Sequence, residues 1–326
     1  MGENIIEILT SNLFIAFILS AILSLVLAPI GIPMLRRLKF GQNIRQEGPQ
    51  SHLKKAGTPT MGGVIFIAST IIVMLVMSNS WSEEGMIALY SLIAFGFIGF
   101  LDDILKILKK QSEGLKSWQK MLLLIIFATI IAIYGYNNGL GMNIKIPFIN
   151  YEIPMVAVTY IPFVIFLYAA TTNAVNLTDG LDGLATTVTI LVLTFFTVVA
   201  FMVGNESIAL FCIVLIGGLI GFLRVNAYPA KIFMGDTGSL ALGGAITTIA
   251  LVLEQPLLIP IVGGIYVLEA LSVIIQVAVF KRTGKRVFKM APIHHHFEHC
   301  GWNEVKIVTV FSTITAILCV LGFIAL

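Results

Sequence analysis

Long apolar runs separated by short polar segments dominate the pattern of the chain. Most runs approach or exceed the roughly 20 residues that a helix needs to cross a bilayer. We therefore predict membrane-spanning helices at ten places, namely 13–35, 61–79, 86–103, 120–136, 157–177, 184–203, 206–223, 238–254, 257–280 and 306–326. The predicted fold class is an all-α polytopic membrane protein. Residues 1–326 show no boundary or repeat that would separate a second domain, so we expect a single integral membrane domain.

The segment at 137–154 breaks this pattern. Ile144, Ile146 and Phe148 alternate with other residues there, which is the period of a strand rather than of a helix. We predict a short β-hairpin on the outer surface of the protein.

Composition strengthens the membrane assignment. Of the 326 residues, 58% are hydrophobic and 11% are charged, and the mean hydropathy is +0.98. A water-soluble fold does not require so much apolar surface, whereas a polytopic membrane protein does. The three Cys residues have neither paired nor metal-binding spacing, so neither a disulfide framework nor a zinc site is indicated.

Positive charge is confined to alternate loops. Segments 36–60, 104–120, 224–237 and 281–306 hold every Lys and Arg residue except Lys145. The positive-inside rule makes these loops cytoplasmic and puts both chain termini outside. Membrane orientation thus accounts for the basic residues, and we expect no nucleic-acid partner.

The carboxylates on the predicted cytoplasmic side suggest a metal site. All the Asp residues of the chain fall there, namely Asp102, Asp103, Asp179, Asp182 and Asp236. Neighbouring carboxylates repel each other unless a cation or a shared proton relieves them. Mg²⁺ prefers such oxygen ligands and keeps substrate phosphates in its shell. The alternative for the pair at 102 and 103 is a polar span end followed by a basic tail.

The most polar stretch between two apolar runs is 173–184. Its polar residues recur at every third position: Asn173, Asn176, Asp179 and Asp182. On a straight helix such a row drifts by about 60° per step and cannot share one face. Gly180 and Gly183 therefore predict a turn that lets the carboxylates converge. The alternative is a polar turn without function.

A second polar segment covers 226–239, from Asn226 to the start of the next apolar run. Gly235 and Gly238 flank Asp236, and glycines beside a helix start allow the backbone to approach a phosphate or a metal-bound oxygen. Phe233 is a candidate to stack on a nucleobase, although a single Phe in such a chain more often faces lipid or the core.

Histidines are concentrated in a third segment, at His294, His295, His296 and His299. Zinc binding is one interpretation, but adjacent His residues cannot all bind one ion and no Cys pair supports it. Contact with a phosphate fits the surrounding basic residues better.

Two further features carry weaker signals. Lys54, Lys55, Thr58 and Thr60 lie beside glycines at the start of the second run, where they suit a phosphate. Glu269 lies inside the ninth run, where an ionisable group is either functional or hydrogen-bonded between helices.

Taken together, these motifs resemble those of the polyprenyl-phosphate N-acetylhexosamine-1-phosphate transferases, and within them the phospho-N-acetylmuramoyl-pentapeptide transferases. The resemblance extends over essentially the whole chain, in the order GTPTMGG (57–63), DD (102–103), NLTDGLDG (176–183), GDTGS (235–239) and APIHHHFE (291–298). The last motif resembles the signature of that subgroup. The resemblance implies a ten-span homodimer in the bacterial plasma membrane with its active site on the cytoplasmic face.

The same resemblance implies the reaction. Phospho-MurNAc-pentapeptide would pass from UDP-MurNAc-pentapeptide to undecaprenyl phosphate with Mg²⁺, giving lipid I and UMP in the first membrane step of peptidoglycan synthesis. It implies Asp236 as the metal ligand, with Asp102, Asp103, Asp179 and His294 in catalysis. The motifs and the resemblance together predict these substrate-binding residues: Lys55, Thr60, Lys106, Lys120, Asn173, Asn176, Gly180, Asp182, Asn226, Phe233, His295 and His296.

Two mechanisms and two other functions stay open at this point. A phosphate monoester has a second pKa of about 6 and needs no strong base, which favours direct attack, with Asp102 orienting the acceptor, over a covalent intermediate on Asp103. A sibling enzyme that transfers GlcNAc-1-phosphate is the nearest alternative. A cation transporter with acidic helix ends is an alternative from another class.

Overall fold

The computed structural model describes residues 11–37, 57–77, 82–109, 111, 114–149 and 151–326. These ranges form α-helices and one small sheet. The helices are α1 (Asn12–Arg37), α2 (Gly63–Val76), α3 (Glu83–Lys109), α4 (Ser117–Asn137), α5 (Ala157–Thr178), α6 (Leu184–Met202), α7 (Glu206–Asn226), α8 (Gly235–Val252), α9 (Ile259–Val262), α10 (Gly264–Thr283), α11 (Ile293–His299) and α12 (Glu304–Ile324).

The all-α polytopic prediction is confirmed. Within the described ranges, 9 helices are long and apolar enough to cross a membrane by length and composition, namely α1, α3 to α8, α10 and α12. The run predicted at 61–79 corresponds to α2, which is apolar but has only 14 residues. It begins two residues later than predicted because the backbone before it pairs with another loop. There the Gly62 N–H donates to the Phe233 carbonyl at 2.8 Å.

The single span predicted at 257–280 is wrong at its start. The segment opens with a 3₁₀ turn (Pro256–Leu258) and the short α9, and the helix that is long enough to cross begins only at Gly264. Prolines at 256 and 260 lack the N–H that a continuous helix would need there, so the two short elements precede a new start.

The predicted hairpin is confirmed as β1 (Asn143–Lys145) antiparallel to β2 (Glu152–Pro154), with Ile144 opposite Ile153. The Lys145 N–H donates to the Glu254 carbonyl at 3.1 Å, which ties β1 to the segment after α8. Asp236 lies at the other end of α8, whose 18 residues span about 27 Å at the α-helical rise. The hairpin and the acidic residues are therefore at opposite ends of the molecule.

Helix α8 lies at the centre of the helical bundle. Of the 18 residues of α8, 83% are buried, whereas only 22% are buried in the most apolar 18-residue stretches of α1, α4 and α10. Glycines allow the central helices to approach closely. A Cβ on Gly99 of α3 would overlap the Asp236 backbone, and one on Gly63 of α2 would overlap Gly238. Small residues at such crossings bring helix backbones together, and here they place the start of α8 against the end of α3.

Candidate active site

Three carboxylates from distant parts of the chain meet at the junction of α3 and α8. Asp102 and Asp103 lie near the end of α3, and Asp236 lies in the first turn of α8. One oxygen from each lies within 4.8 Å of the others. We call this group the acidic centre. The structure thus brings together three of the Asp residues that the sequence suggested for a cation.

Asp103 anchors the start of α8. Its Oδ2 accepts hydrogen bonds from the Thr237 N–H at 2.9 Å and the Thr237 hydroxyl at 2.7 Å, and its Oδ1 accepts from the Asp236 N–H at 3.3 Å. The first N–H groups of a helix have no partner inside the helix, so this carboxylate satisfies them. Both of its oxygens are engaged, and the residue is 2% exposed.

Gly235 makes this anchoring possible. It has a φ of +74°, and a Cβ there would lie 2.7 Å from Asp103 Oδ2 and 2.8 Å from the Thr60 hydroxyl. Glycine adopts this left-handed conformation without steric cost. Since Thr60 and Asp103 both lie against Gly235, Thr60, predicted as a substrate-binding residue, is beside the acidic centre. Lys55 lies outside the described residues.

Asp102 is held by a loop that the sequence did not single out. Its Oδ1 accepts the Leu115 N–H at 2.8 Å, and a Cβ on Gly114 would overlap it. Its Oδ2 lies 2.6 Å from Lys106 Nζ. The sequence indicates this loop only weakly, because Gly114 is the one residue in it that suggests a close backbone approach.

Two lysines supply the positive charge of the acidic centre. Lys106 Nζ lies 2.6 Å from Asp102, 3.6 Å from Asp103 and 3.0 Å from Asp236. Lys120 Nζ lies 2.8 Å from the same Asp236 oxygen. Both lysines were predicted to contact substrate, and both retain some exposure. They partly offset the three carboxylates.

Asn176 holds the second oxygen of Asp236. Its Nδ2 donates to Asp236 Oδ1 and to the Ser239 hydroxyl, each at 2.8 Å. Ser239 in turn donates to the Gly235 carbonyl at 3.1 Å. Asn173, three residues earlier, instead donates to the Ala169 carbonyl of its own helix at 2.7 Å. Of the two amides, only Asn176 therefore has a described hydrogen bond to the acidic centre.

The predicted turn follows at 179–183. Helix α5 ends at Thr178, and Gly183 has a φ of +76° before α6 begins. Burial raises the pKa of the Asp179 carboxyl well above its usual range, and the charges of Asp236 and Asp103 raise it further. A raised pKa favours the protonated form of this carboxyl.

Asp182 ties this turn to the loop after α7. Its Oδ2 accepts the Ala230 N–H at 2.9 Å, and its own N–H donates to Glu304 at the start of α12. Sequence patterns did not indicate Glu304, because its partner is 122 residues away.

Asn226 is the last residue of α7, just before the loop that follows, and Phe233 lies near the end of that loop. The Asn226 side chain is 2% exposed, accepts from Thr186 Oγ1 at 2.7 Å and donates to the Ile232 carbonyl at 3.1 Å. It therefore closes the loop from within. Phe233 is half-buried and lies on the loop between Asn226 and the acidic centre.

The three consecutive histidines diverge. His294 is buried against Glu269 and faces Gly180. His295 Nδ1 lies 2.7 Å from Glu298 Oε2, and His296 Nδ1 accepts the Lys289 N–H at 3.1 Å. Because the side chains point to different partners, they do not form one metal site. Among the described residues, a search for clusters of Asp, Glu, His and Cys close enough to hold an ion finds the three carboxylates of the acidic centre.

The donor set suits a hard divalent cation. Carboxylate oxygens are the ligands that such ions prefer. Three clustered carboxylates outnumber the two ammonium groups that contact them. A divalent cation would complete the charge balance, with Asp236, the most exposed of the three, as a ligand.

The chain is similar to known proteins over its whole length. Glycosyl transferase family 4 matches residues 85–254, and the phospho-N-acetylmuramoyl-pentapeptide-transferase signature 1 matches residues 55–67. A phospho-N-acetylmuramoyl-pentapeptide-transferase of Clostridium botulinum (strain Alaska E43 / Type E3) is 63% identical over 100% of both chains. Proteins with the same name from Clostridium beijerinckii and Clostridium perfringens (strain ATCC 13124) are 60% and 58% identical, over 100% and 99% of this chain and 100% of their own.

Binding of a divalent cation to the purified protein tests the acidic centre directly. We expect Mn²⁺, a probe ion with similar oxygen preference, to bind the wild type, as measured by loss of the free-ion signal in electron paramagnetic resonance. Asp236→Asn should abolish this binding because it removes a charge and a ligand oxygen. Glu254→Gln, at the far end of α8, is the matched control. Equal binding by the wild type and Asp236→Asn would contradict the assignment.

Proposed function

Since the chain belongs to glycosyl transferase family 4 and to the phospho-N-acetylmuramoyl-pentapeptide transferases, we propose that it transfers phospho-MurNAc-pentapeptide from UDP-MurNAc-pentapeptide to undecaprenyl phosphate. The products are lipid I and UMP, and the reaction is the first membrane step of peptidoglycan synthesis. The observation that carries the proposal is the acidic centre with its two lysines at one end of the transmembrane helices. It suits two phosphate-bearing substrates that must be neutralised before they can react.

We assign the cation to Mg²⁺, held by Asp236 with Asp102 and Asp103 beside it. When bound, it would polarise phosphoryl oxygens and offset their charge. Lys106 and Lys120 hold positive charge at the same point and are partly exposed. Their role is to contact phosphate oxygens as the substrates bind, because phosphoryl transfer depends mainly on positioning and charge neutralisation.

The transfer proceeds by direct attack. An oxygen of undecaprenyl phosphate bonds to the phosphorus that carries the sugar, and the bond from that phosphorus to the UMP oxygen breaks, so UMP leaves with the electron pair. The acceptor is largely dianionic near neutral pH, since its second pKa is about 6. Asp102 orients it or removes its residual proton. Asp103 is not needed as a nucleophile, and its hydrogen bonds to residues 236 and 237 favour an anchoring role.

The donor binds beside the turn at 179–183 and the loop at 227–234. The bond from Ala230 to Asp182 joins these two segments, and Asn226 closes the loop. We propose that they form the wall for the uridine, with Phe233 available to stack on the base. Thr60, Gly180, Asn173, His295 and His296 complete the residues that we propose to line the substrates.

Two alternatives receive less support. A sibling transferase for GlcNAc-1-phosphate would use the same centre. The similar proteins are, however, named as transferases of the phospho-N-acetylmuramoyl pentapeptide. A cation transporter usually binds its ions near the midplane of the membrane, whereas the acidic centre lies at helix ends.

We propose that the acidic centre faces the cytoplasm of a bacterial cell. In the part of the chain that the structure describes, the end of α3, the start of α4 and the loop between α7 and α8 carry Lys and Arg beside the acidic centre, and the positive-inside rule makes this end cytoplasmic. A homodimer is also proposed, on the family resemblance alone. Light scattering of the detergent-solubilised protein should give twice the 35.5 kDa chain mass, and the mass of a single chain would contradict it.

Release of UMP tests the reaction. Purified protein with undecaprenyl phosphate and Mg²⁺ should release UMP from UDP-MurNAc-pentapeptide, and a chelator should stop it. Asp236→Asn should lose at least about 100-fold in rate, the usual scale for a transition-state electrostatic contact, while Glu254→Gln stays active. Faster turnover with UDP-GlcNAc would support the sibling enzyme, and ion flux without UMP release would support the transporter.

Labelling of an introduced cysteine in intact cells tests the orientation, and the native Cys212 and Cys319 are buried. Cys300, the exposed native cysteine of the described residues, is first replaced by Ser. A membrane-impermeant maleimide should then label Asn138→Cys, near the hairpin, without permeabilisation. It should label Lys285→Cys only after permeabilisation. The reverse pattern would place the acidic centre outside.

A further inference from the structure

A buried carboxylate and a buried imidazole face each other beside the active site. Glu269 on α10 is 0% exposed and His294 on α11 is 1% exposed. Glu269 Oε1 lies 3.1 Å from His294 Nδ1, and the His294 backbone N–H donates to Glu269 Oε2 at 3.5 Å. An ionisable side chain inside a transmembrane helix is costly and usually has a function. The mechanism described above gives Glu269 none.

The Glu269 carboxylate orients the His294 ring. A carboxylate oxygen that faces a ring nitrogen favours the tautomer in which that nitrogen carries the hydrogen. The nitrogen that faces Glu269 is Nδ1, and the opposite edge of the ring faces Gly180. A neighbouring acceptor commonly sets the tautomer and orientation of a functional histidine in this way.

That opposite edge lies against the turn at 179–183. A Cβ on Gly180 would overlap Nε2, Cε1 and Cδ2 of His294, so the ring touches the backbone of the turn. Among the described residues, Nδ1 and Nε2 of His294 and Oε1 of Glu269 are all buried without a hydrogen bond, so the 3.1 Å between Nδ1 and Oε1 is a close approach. The contact therefore acts on the segment that carries Asp179 and Asp182, which we propose as part of the wall for the uridine.

We propose that Glu269 is a positioning residue that acts through His294. It holds the imidazole with Nδ1 toward α10 and Nε2 toward Gly180, and the ring in turn holds the turn at 179–183 in the shape that the transfer requires. The inference rests on the proposed function. It predicts that loss of the Glu269 carboxylate lowers kcat and raises the KM for the donor, because the turn at 179–183 also forms part of the proposed wall for the uridine.

The experiment combines kinetics with a double-mutant cycle. Glu269→Gln keeps the shape of the side chain and replaces one acceptor oxygen by an amide, and we expect kcat to fall about 10- to 100-fold, as for partners that orient a functional histidine, with a raised KM for the donor. His294→Asn keeps a donor near the Nδ1 position and lacks Nε2. If Glu269 acts through His294, adding Glu269→Gln to His294→Asn should cause little further loss.

Controls separate this role from a purely structural one. Ser272→Ala, on the same helix, loses a hydroxyl that donates to the Glu269 carbonyl at 2.7 Å but leaves the carboxylate intact, so kcat should be unchanged. Nitrogen-15 NMR of labelled histidines should show a protonated Nδ1 for His294 in the wild type and a changed tautomer in Glu269→Gln. If Glu269→Gln fails to fold, Glu269→Asp, which keeps the charge on a shorter stem, should fold and retain part of kcat.

Each outcome decides the proposal. Wild-type kcat in Glu269→Gln, an additive loss in the double variant, an unchanged tautomer, or failure of both Glu269 variants to fold would overturn it. A wild-type protein that releases no UMP would refute the proposed function instead, and the NMR comparison would still show whether Glu269 sets the His294 tautomer.

Discussion

The active-site geometry depends on how the first turn of α8 is satisfied. This turn packs closely against α2 and α3, so its free N–H groups cannot all reach water, and unpaired backbone groups in apolar surroundings are costly. The Asp103 carboxylate accepts the N–H groups of residues 236 and 237 and the Thr237 hydroxyl. Because Asp103 is used in this way, Asp236 in the same turn projects beside Asp102 and the two lysines. One anchoring interaction thus sets the position of the proposed metal ligand.

Close helix packing supports that interaction. The glycines at 63, 99 and 238 let α2 and α3 approach α8 until backbone meets backbone. The same packing leaves the acidic centre at the ends of helices rather than at their middle. Such a place is reached both by an amphipathic acceptor in the bilayer and by a soluble nucleotide donor. The hairpin at the other end of α8 has no part in this site, in keeping with its distance of about a helix length.

The fold and several residues of the candidate site could be predicted from the sequence, because they depend on local patterns. Apolar runs of membrane length and isolated polar segments are local patterns, and glycine beside Asp marks a turn or a helix start wherever it occurs. These patterns predicted the helices, the hairpin and the turn at Gly183. They did not predict the shortened start of α2 or the break before α10, because both depend on pairing and proline geometry within an apolar run. The contacts of Leu115 with Asp102 and of Glu304 with Asp182 were not predictable either, because no sequence pattern indicates that the two segments of each pair lie together.

The most direct test of the account asks whether a phospho-sugar ever rests on the protein. If Asp103 is an anchor and the acceptor attacks directly, both substrates must be present before UMP can leave. Enzyme free of undecaprenyl phosphate is mixed with Mg²⁺ and UDP-MurNAc-pentapeptide radiolabelled in the sugar, and UMP and protein-bound label are measured. The account predicts no stoichiometric burst of UMP and no label after denaturation. One equivalent of UMP with trapped label at Asp103 would contradict it.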